Sequence, residues 1–476
     1  MTPDPRRWQA LALVCVAMFM TVLDVSIVNV ALPSIKTSLH VSDKSLQWVV
    51  TAYAIAFGGF LLLGGRAADL LGRRRIFMAG ITLFSLASLV CGLAGSIGVL
   101  VAARAVQGLG AAMISPATLS IITTTFEEGA ERNKALGIWG AMGGSGAAAG
   151  VLFGGILTRY AGWEWIFFVN VPVGAIVLAL TRPIVHESRI PGLRGFDAAG
   201  AATITSSLAL LVYGISKAPD VGWASARTIL FLVAAAILLA AFIVIERSIA
   251  EPMMPFRIFR IHTVTGANVC GFLLGSVLFS NFFLLTLYVQ QVLGYSALQA
   301  GLTFLATAGV TIPAAGAAQA LVTRIGVRPV LTIGLALMTG GMLWYAQIPV
   351  HGHFVRDLLP GYLMVGVGLA FSFIPVSIAA LAGVEGHQAG LASGLINTSQ
   401  QIGGALGVAI AATVAFTHMR TLLGTGHDPA SAMTSGFALA FWVFAAIGAV
   451  SVLAALLLVR GRELEQAESE VAAATG

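Results

Sequence analysis

Long apolar stretches, separated by short polar loops, run through almost the whole chain. Most of them are about 17 to 25 residues long, the length that an α-helix needs to cross the hydrocarbon core of a bilayer. Backbone groups find no water there, so continuous runs of this length favour helices over the strands of a barrel. The pattern predicts fourteen membrane-spanning helices. They run from Ala10 to Leu32, Leu46 to Gly64, Ile76 to Gly95, Val99 to Ser120, Ala135 to Thr158, Trp165 to Thr181, Ala198 to Ser216, Thr228 to Ile245, Val264 to Val289, Ala300 to Val322, Val330 to Ala346, Leu358 to Ala380, Gly390 to Phe416 and Ser435 to Val459.

The composition agrees with this pattern. Of the 476 residues, 58% are hydrophobic and 10% are charged, and the mean hydropathy is +0.93. A soluble multidomain protein of this length is far less apolar. Arg6 and Arg7 precede the first stretch as in a secretory signal, but that stretch is longer than a signal, so we expect a retained first helix. The sequence therefore predicts an all-α integral membrane protein.

The positive charges are distributed unevenly between the two sides of the predicted bundle. Eighteen of the 26 Lys and Arg residues fall in loops on the side of the amino terminus and seven on the other side, while Arg104 lies inside a span. Loops rich in Lys and Arg face the cytoplasm. We therefore expect a multi-pass protein of the cell membrane with both termini cytoplasmic. The net charge of +6 then reflects topology and contact with anionic membrane lipids rather than nucleic-acid binding.

The cysteines and histidines do not form a metal-binding pattern. Cys15, Cys91 and Cys270 lie within spans at unrelated depths, which indicates neither a disulfide framework nor a metal cluster. His351 and His353 stand two apart in a predicted outer loop, too few ligands for a metal site. We expect no metal and no cofactor, and we expect the protein to be a monomer.

The two halves of the chain match when one is shifted by about 257 residues. An even number of spans separates matching spans, so the halves point the same way across the membrane, as in a parallel repeat. We predict a six-helix bundle at residues 1–182, a linker with two extra membrane helices at 183–260, a second six-helix bundle at 261–460 related to the first by a pseudo-two-fold axis, and a cytoplasmic tail at 461–476. The matching pairs are Gly137 with Gly394, Gly146 with Gly403, Gly150 with Gly407, Gly108 with Gly366, Gly110 with Gly368, Gly72 with Gly326 and Arg74 with Arg328.

Asp24 and Arg104 are the only full charges inside the predicted spans. A charge at membrane depth is costly and marks a functional site by default. Since a low dielectric favours the neutral form of an acid, Asp24 is a candidate proton carrier. Arg104 stays charged and can bias that acid or hold substrate. Alternatively, Asp24 only packs helices, paired with a hydroxyl or with Arg104, and Arg104 is a structural partner of carbonyls and Gln107. The second half has Asn281 and Tyr362 near the corresponding positions and keeps no charge.

The sequence around these residues resembles the major facilitator superfamily, and more narrowly its fourteen-helix drug:proton antiporter branch of multidrug efflux transporters. The resemblance spans the whole chain. It is carried by LDVSIVNVALP at 23–33, GRAADLLGRRR at 65–75, RAVQG at 104–108 and WEWIFFVNVP at 163–172.

Two positions depart from the pattern of that branch. Gly150 is followed by Val151 where the antiporter motif of the fifth helix has a proline, which removes a kink that helps to shape the helix. Glu164 stands where the branch usually has a basic residue.

The loop after the second helix is, in the resembling family, a latch that holds the halves in one conformation. Asp69 and Arg73 stand four residues apart and can pair along one helical face, while Gly65 and Gly72 allow a tight turn and close approach. The alternative is simple anchoring of positive charges at the membrane surface. We assign the latch to Asp69 and Arg73, and anchoring to the two arginines that follow.

Small residues form a ladder along the fifth helix, including Gly146, Gly150, Gly154 and Gly155. Such faces let helices pack and slide closely in lipid. We expect the two halves to rock against each other there.

A substrate cavity is expected between the halves, lined by amides and aromatic rings in otherwise apolar spans. The candidates are Asn29, Gln107, Asn281, Phe282, Tyr288, Asn397, Gln400 and Gln401.

These features together predict a transporter rather than an enzyme. No ATP-binding pattern is present, so an ion gradient must drive any concentrative transport. We expect proton-coupled antiport that exports a small lipophilic, cationic drug or antibiotic by alternating access, the cation competing with the proton for Asp24. An uptake symporter or a lipid or metabolite exporter on the same fold is the alternative. A membrane-embedded transferase is more remote, because no phosphate-binding loop, paired aspartates or zinc pattern is found.

Overall fold

The computed structural model describes residues 5–41, 43–127, 130–189, 197–249, 252, 254, 256–384 and 389–459, and these residues form helices and connecting loops without a strand. Short helices at Trp165–Phe168, Phe256–Arg260, Tyr288–Val292 and Phe354–Leu358 accompany the long ones. The long helices are α1 (Arg7–Leu39), α2 (Asp43–Leu71), α3 (Arg73–Gly92), α4 (Ile97–Thr125), α5 (Ala130–Tyr160), α6 (Asn170–Ile184), α7 (Ala198–Val221), α8 (Ala226–Ser248), α9 (His262–Leu287), α10 (Ala297–Ile325), α11 (Val327–Tyr345), α12 (Leu359–Leu381), α13 (Ala389–Gly424) and α14 (Pro429–Leu458).

Twelve helices in the described ranges are long and apolar enough to cross a membrane. α5 and α7 are not among the twelve, although α7 contains a shorter apolar helix at Ala199–Ile215. The structure thus confirms an all-helical protein with many membrane-spanning helices, while the total of fourteen spans stays a prediction. Most helices extend beyond the predicted apolar cores because polar residues at their ends continue the helix. α2, for example, begins at Asp43 and ends at Leu71.

The repeat is visible in how the helices pack. In the first half α1 packs on α5, α2 on α4, α3 on α4 and α3 on α6. In the second half the corresponding helices make the same pairs, which are α9 with α13, α10 with α12, α11 with α12 and α11 with α14. The interface between the halves pairs α5 with α10 and α2 with α13, as an approximate two-fold axis requires.

The two bundles meet near the face at which α1 begins and α2 ends, which we call the N-terminal face. An added Cβ at Gly137 would lie 3.2 Å from the Gln319 Cβ, and one at Gly394 would lie 3.2 Å from the Leu61 carbonyl oxygen. The Ser115 hydroxyl donates across the same interface to Asn397 Oδ1 at 3.2 Å. The bundles are therefore closed against each other at this end.

The helices α7 and α8 pack on each other, and α7 also packs on α2 and α13. Towards the end opposite the N-terminal face, the Trp48 ring stacks on Tyr213 with centroids 5.6 Å apart. The Trp223 indole donates to Thr413 Oγ1 at 2.8 Å. The extra helix pair is thus bonded to both halves.

The glycine ladder of α5 has two faces with different partners. Added Cβ atoms at Gly146, Gly150 and Gly154 would all approach α1, the nearest being 2.6 Å from the Leu23 carbonyl oxygen at Gly150. Gly137, by contrast, faces the second half. Nine residues separate positions 137 and 146, which is two and a half helical turns, so they lie on opposite faces. The prediction that the halves rock on the glycine ladder at 146–155 is therefore wrong for Gly146, Gly150 and Gly154. These three glycines pack α5 against α1 within the first bundle.

Candidate functional site

Asp24 and Arg104 form an ion pair inside the first bundle. Arg104 Nη1 donates to Asp24 Oδ2 at 2.5 Å, and the side chains of Arg104 and Asp24 are 1% and 0% exposed, respectively. Asp24 lies in the middle of α1 and Arg104 in the first half of α4. Isolated, either charge would be very costly at this depth, so each makes the burial of the other tolerable.

Two neutral amides complete the bonding of the carboxylate. Gln107 Nε2 and Asn170 Nδ2 donate to Asp24 Oδ1 at 2.8 and 3.1 Å. Both amides also donate to the Ser88 hydroxyl, at 3.2 and 3.0 Å, and this hydroxyl donates to the Phe167 carbonyl at 2.9 Å. The carboxylate therefore accepts three hydrogen bonds, which stabilise its charged form.

Arg104 has partners besides the carboxylate. Its Nε donates to the Val49 carbonyl at 3.0 Å, and Nη1 also donates to Gln107 Oε1 at 2.8 Å. The guanidinium lies 4.2 Å from the centroid of the Tyr53 ring, a favourable cation–π contact in a dry site. Helices α1, α2, α3, α4 and α6 all contribute to this cluster. Movement of any one of them therefore changes the contacts of Asp24.

Close helix contacts make the cluster possible. An added Cβ at Gly108 would lie 2.5 Å from the Tyr53 carbonyl oxygen, and one at Gly150 would lie 2.7 Å from the Ser26 Cβ. Because no side chain intervenes at either position, α4 approaches α2 and α5 approaches α1 on each side of the ion pair. Glycines far from Asp24 in the chain thus position the helix that carries it.

In this conformation the cluster is closed. Asp24, Arg104, Gln107 and Asn170 are each at most 1% exposed. A substrate in a cavity between the halves does not reach the Asp24 carboxylate. The expected direct competition of a cation with the proton at this carboxylate therefore needs a rearrangement first.

The corresponding position of the second half holds a different arrangement. Asn281 is 2% exposed, and its Oδ1 finds no hydrogen-bond partner among the described residues. The Tyr362 hydroxyl shares a hydrogen bond with Thr303 at 2.8 Å, and its ring packs on Phe304 with centroids 5.3 Å apart. The second half thus places neutral polar groups where the first half places its ion pair.

At the N-terminal face Asp69 and Arg73 are in contact. Arg73 Nη2 donates to Asp69 Oδ1 at 3.1 Å, with the Arg73 and Asp69 side chains 5% and 0% exposed. The backbone of Leu391, in the first turn of α13, interacts with the same carboxylate, and a helix amino terminus attracts negative charge. Asp69 therefore lies where the first bundle meets the amino terminus of α13.

Gly72 stands between the two helices of this turn. Its φ of 109° lies in the range that favours glycine, and an added Cβ would lie 2.5 Å from Glu187 Oε1. Glu187 accepts from the Arg74 amide at 3.1 Å and lies 3.6 Å from Arg75 Nε. Gly64 brings α2 close to α4, since its added Cβ would lie 2.2 Å from the Ala112 carbonyl oxygen, and the role of Gly65 stays a prediction.

The candidate cavity residues divide into exposed and enclosed ones. Asn29 is exposed and Gln401 is half-buried, as a lining role requires. Tyr288 is fully buried and donates to the Pro349 carbonyl at 2.6 Å, so it belongs to the core of the second bundle. Phe282 packs on Phe304 with centroids 5.0 Å apart.

Three further candidates lie at contacts between helices. Asn397 accepts from Ser115 of α4, and Gln107 belongs to the ion-pair cluster. Gln400 packs against α9, where an added Cβ at Gly275 would lie 2.2 Å from its carbonyl oxygen. These residues hold helices together in this conformation.

Sequence reasoning missed several residues of the cluster. Asn170 lies within the run at 163–172, but the sequence analysis predicts no role for it. No sequence pattern distinguishes Ser88 or Tyr53 from other residues of their helices. For Asn170 the available signal was an amide side chain inside an otherwise apolar span. Ser115 offers no such signal. Tertiary packing alone brings these side chains to their partners.

A closed polar cluster inside one of two related helical bundles, with the bundles joined at one face, defines a membrane transporter rather than an enzyme. The chain belongs to the Major Facilitator Superfamily, whose family model matches residues 14–408.

Several relatives are drug resistance or export proteins. The chain is 39% identical to the puromycin resistance protein pur8 of Streptomyces alboniger, over 87% of this chain and 82% of that protein. It is 38% identical to the cephamycin export protein CmcT of Amycolatopsis lactamdurans, over 88% and 86%.

Among solved structures, the human organic anion transporter MFSD10 (TETRAN) is similar, with a TM-score of 0.69 and 16% identity. The match covers 95% of this chain and 100% of that one. At this identity the likeness shows the shared fold.

Proposed function

We propose that this protein is a proton-coupled antiporter of the cell membrane that exports small lipophilic compounds, cationic ones included, by alternating access. The single observation that carries the proposal is the enclosed Asp24–Arg104 pair, held by five helices of one bundle. A paired charge at this depth serves proton movement in transporters. The export proteins among its relatives support the direction of transport.

The carboxylate of Asp24 carries the proton in this mechanism. In the closed cluster it accepts hydrogen bonds from Arg104 and two amides. When the bundles rearrange, loss of the Arg104 contact removes the strongest stabilisation of the charge, and Asp24 takes up a proton. Arg104 keeps the Val49 carbonyl, Gln107 and the Tyr53 ring, so it is not left without partners while Asp24 is neutral.

Alternating access follows from the interface between the bundles. The N-terminal face, closed by Asp69 with α13 and by Ser115 with Asn397, is cytoplasmic on the distribution of Lys and Arg. This conformation is therefore sealed towards the cytoplasm. Opening of this face admits substrate from the cytoplasm, and inward proton flow drives its release outside.

The substrate binds between the halves, where Asn29 and Gln401 are accessible. Since Asp24 is enclosed, proton and substrate bind at separate atoms in this conformation, and their exchange is coupled through helix movement. The protein acts as a monomer surrounded by membrane lipids, with protons and the substrate as its partners.

Proton-gradient-dependent transport of ethidium by the purified protein in liposomes tests the proposal. An imposed proton gradient is expected to drive ethidium against its concentration gradient, and an ionophore that collapses the gradient is expected to stop it. Transport in the same direction as the protons would establish a symporter, and transport unaffected by the ionophore would exclude proton coupling.

The latch makes a separate prediction. Asp69→Asn removes the charge that joins the first bundle to the amino terminus of α13, so the N-terminal face is expected to open more often. The measurement is maleimide labelling of Ser115→Cys, buried at that interface, in a variant whose three native cysteines are replaced. We expect labelling to be about fivefold faster, the lower end of common coupling effects.

Arg75→Ala is the matched control for this change. The Arg75 side chain is 68% exposed and lies against Glu187 instead of Asp69, and exposed ion pairs contribute little. Its labelling rate is expected to equal that of the parent. Equal rates in the Asp69 variant and the parent would show that Asp69 is not a latch.

A further inference from the structure

Three side chains donate hydrogen bonds to Asp24. They differ in whether they can instead accept a hydrogen bond from the protonated acid. All three favour the charged carboxylate, and a proton on Oδ1, which already accepts two of these hydrogen bonds, needs one of its donors to withdraw or to turn into an acceptor. Arg104 has N–H donors only and stays charged. Gln107 already places Oε1 against Arg104 Nη1 at 2.8 Å, and turning its amide would set an NH₂ group against the guanidinium.

Asn170 differs from Arg104 and Gln107 in its hydrogen bonds. The hydrogen bonds that the structure gives for its side chain run through Nδ2, to Asp24 Oδ1 at 3.1 Å and to Ser88 Oγ at 3.0 Å. Ser88 can face either end of the amide, because a hydroxyl both donates and accepts. The orientation of an amide is assigned from such a network, and here the charged carboxylate requires Nδ2.

We propose that Asn170 is the positioning residue that responds to the proton on Asp24. With the carboxylate charged, Asn170 Nδ2 donates to Oδ1. When Oδ1 takes up a proton, the amide turns about its Cβ–Cγ bond and Asn170 Oδ1 accepts the new O–H. The Ser88 hydroxyl then turns from the Phe167 carbonyl to Asn170 Oδ1. This inference rests on the proposed role of Asp24 in proton coupling.

The turn of Ser88 links protonation to another helix. Its present acceptor, Phe167, belongs to the short helix Trp165–Phe168 that leads into α6. The same short helix packs against α3, where an added Cβ at Gly92 would lie 2.3 Å from the Phe168 ring. Release of the Phe167 carbonyl therefore loosens the junction between α3 and α6 when Asp24 is neutral.

Few titratable groups surround Asp24. Arg104 of α4, Tyr53 of α2 and Cys91 of α3 interact with it or with its partner electrostatically. Phenols and thiols ordinarily titrate above neutral pH, and guanidinium groups far above it. The titratable residues of α5 and α6 stand at the helix ends. Asp24 is therefore the carboxylic acid of this cluster among the described residues.

Infrared titration of the purified protein in lipid tests the inference without any substrate. The carboxylic-acid band that disappears in Asp24→Asn reports the protonated acid. Asn170→Leu removes one donor from the carboxylate and the acceptor from the acid. Because both forms of Asp24 lose a hydrogen bond, we expect the midpoint of this band to move up by less than the roughly one pH unit that loss of a donor to the charged form alone would give. The band is also expected to move to higher frequency.

Two further variants complete the test. Ser88→Ala frees the amide to turn and is expected to move the midpoint upwards by a smaller amount, so the inference remains testable if Asn170→Leu does not fold. Asn268→Leu removes a buried amide that bonds Ser399 and the Val264 carbonyl instead of Asp24, and it is expected to leave the midpoint unchanged.

A band frequency unchanged by Asn170→Leu together with a midpoint unchanged by Ser88→Ala, or an Asp24 that does not titrate between about pH 4 and 9, would overturn the inference. Failure of the proposed transport appears separately, as a parent protein whose Asp24 titrates in this range but which does not move ethidium.

Discussion

Asp24→Asn is expected to abolish proton-driven efflux of ethidium, reducing it to the background of liposomes without protein. The substituted amide cannot exchange a proton in the physiological range, and among the described residues no other acid is paired with Arg104. Substrate binding itself is expected to persist, since Asp24 is enclosed in this conformation. The measurements are gradient-driven transport and equilibrium binding of ethidium to the same preparation.

Loss of folding is the effect that must be separated from loss of coupling. The single variant leaves Arg104 buried without a counter-charge, and breaking a buried pair costs about 3–5 kcal/mol. The double variant Asp24→Asn with Arg104→Gln removes both charges and is expected to recover stability but not proton coupling. Gradient-driven transport by either variant at the parent rate would show that the coupling acid lies elsewhere.

Gly403→Ala is expected to cause a large loss of stability for the addition of one methyl group. An added Cβ at Gly403 would lie 1.9 Å from the Phe272 carbonyl oxygen, a distance that real atoms never adopt, so α9 and α13 must move apart. Overpacking of this kind typically costs about 1–3 kcal/mol, and a backbone partner leaves little room to relax. The melting temperature and the monodisperse fraction in detergent measure the effect.

The chain offers a matched series for this prediction. At Gly309 on α10, an added Cβ meets nothing within 4 Å. Gly309→Ala is therefore expected to be neutral or slightly stabilising, because alanine is the better helix former. Gly146, which occupies the matching position of the first half, would place its Cβ 3.1 Å from the Phe19 carbonyl oxygen, so its alanine variant is expected to be intermediate. Equal stability of the Gly403 and Gly309 variants would contradict the α9–α13 packing.

The class of protein could be predicted from the sequence because hydropathy acts locally. A run of twenty apolar residues must be helical in a bilayer whatever its neighbours do. The same reasoning isolated Asp24 and Arg104, since a charge inside such a run is costly enough to be noticed without a structure. The repeat of glycines also appeared in the sequence, and the two halves pack their helices in matching pairs.

The sequence did not predict which neighbouring helix or side chain each residue contacts. Helical spacing does not indicate which neighbouring helix packs on a face of small residues. The α5 glycines at 146, 150 and 154 were therefore assigned to the interface between the halves, but they face α1. Tyr288, counted as a cavity residue, is buried with its hydroxyl on Pro349. Both errors have one cause, because an aromatic ring or a glycine is equally compatible with lipid, core and cavity.

The sequence by itself determined that this is a helical membrane protein with two related halves and with two charged residues, Asp24 and Arg104, inside the spans of the first half. Those properties follow from the free energy of transferring each segment into lipid, which depends on the segment alone. Only the tertiary structure decided that Asn170, Ser88 and Tyr53 enclose that pair and that the bundles close at the N-terminal face. These contacts join helices distant in the chain, and they depend on where backbones approach closely enough for hydrogen bonds to form.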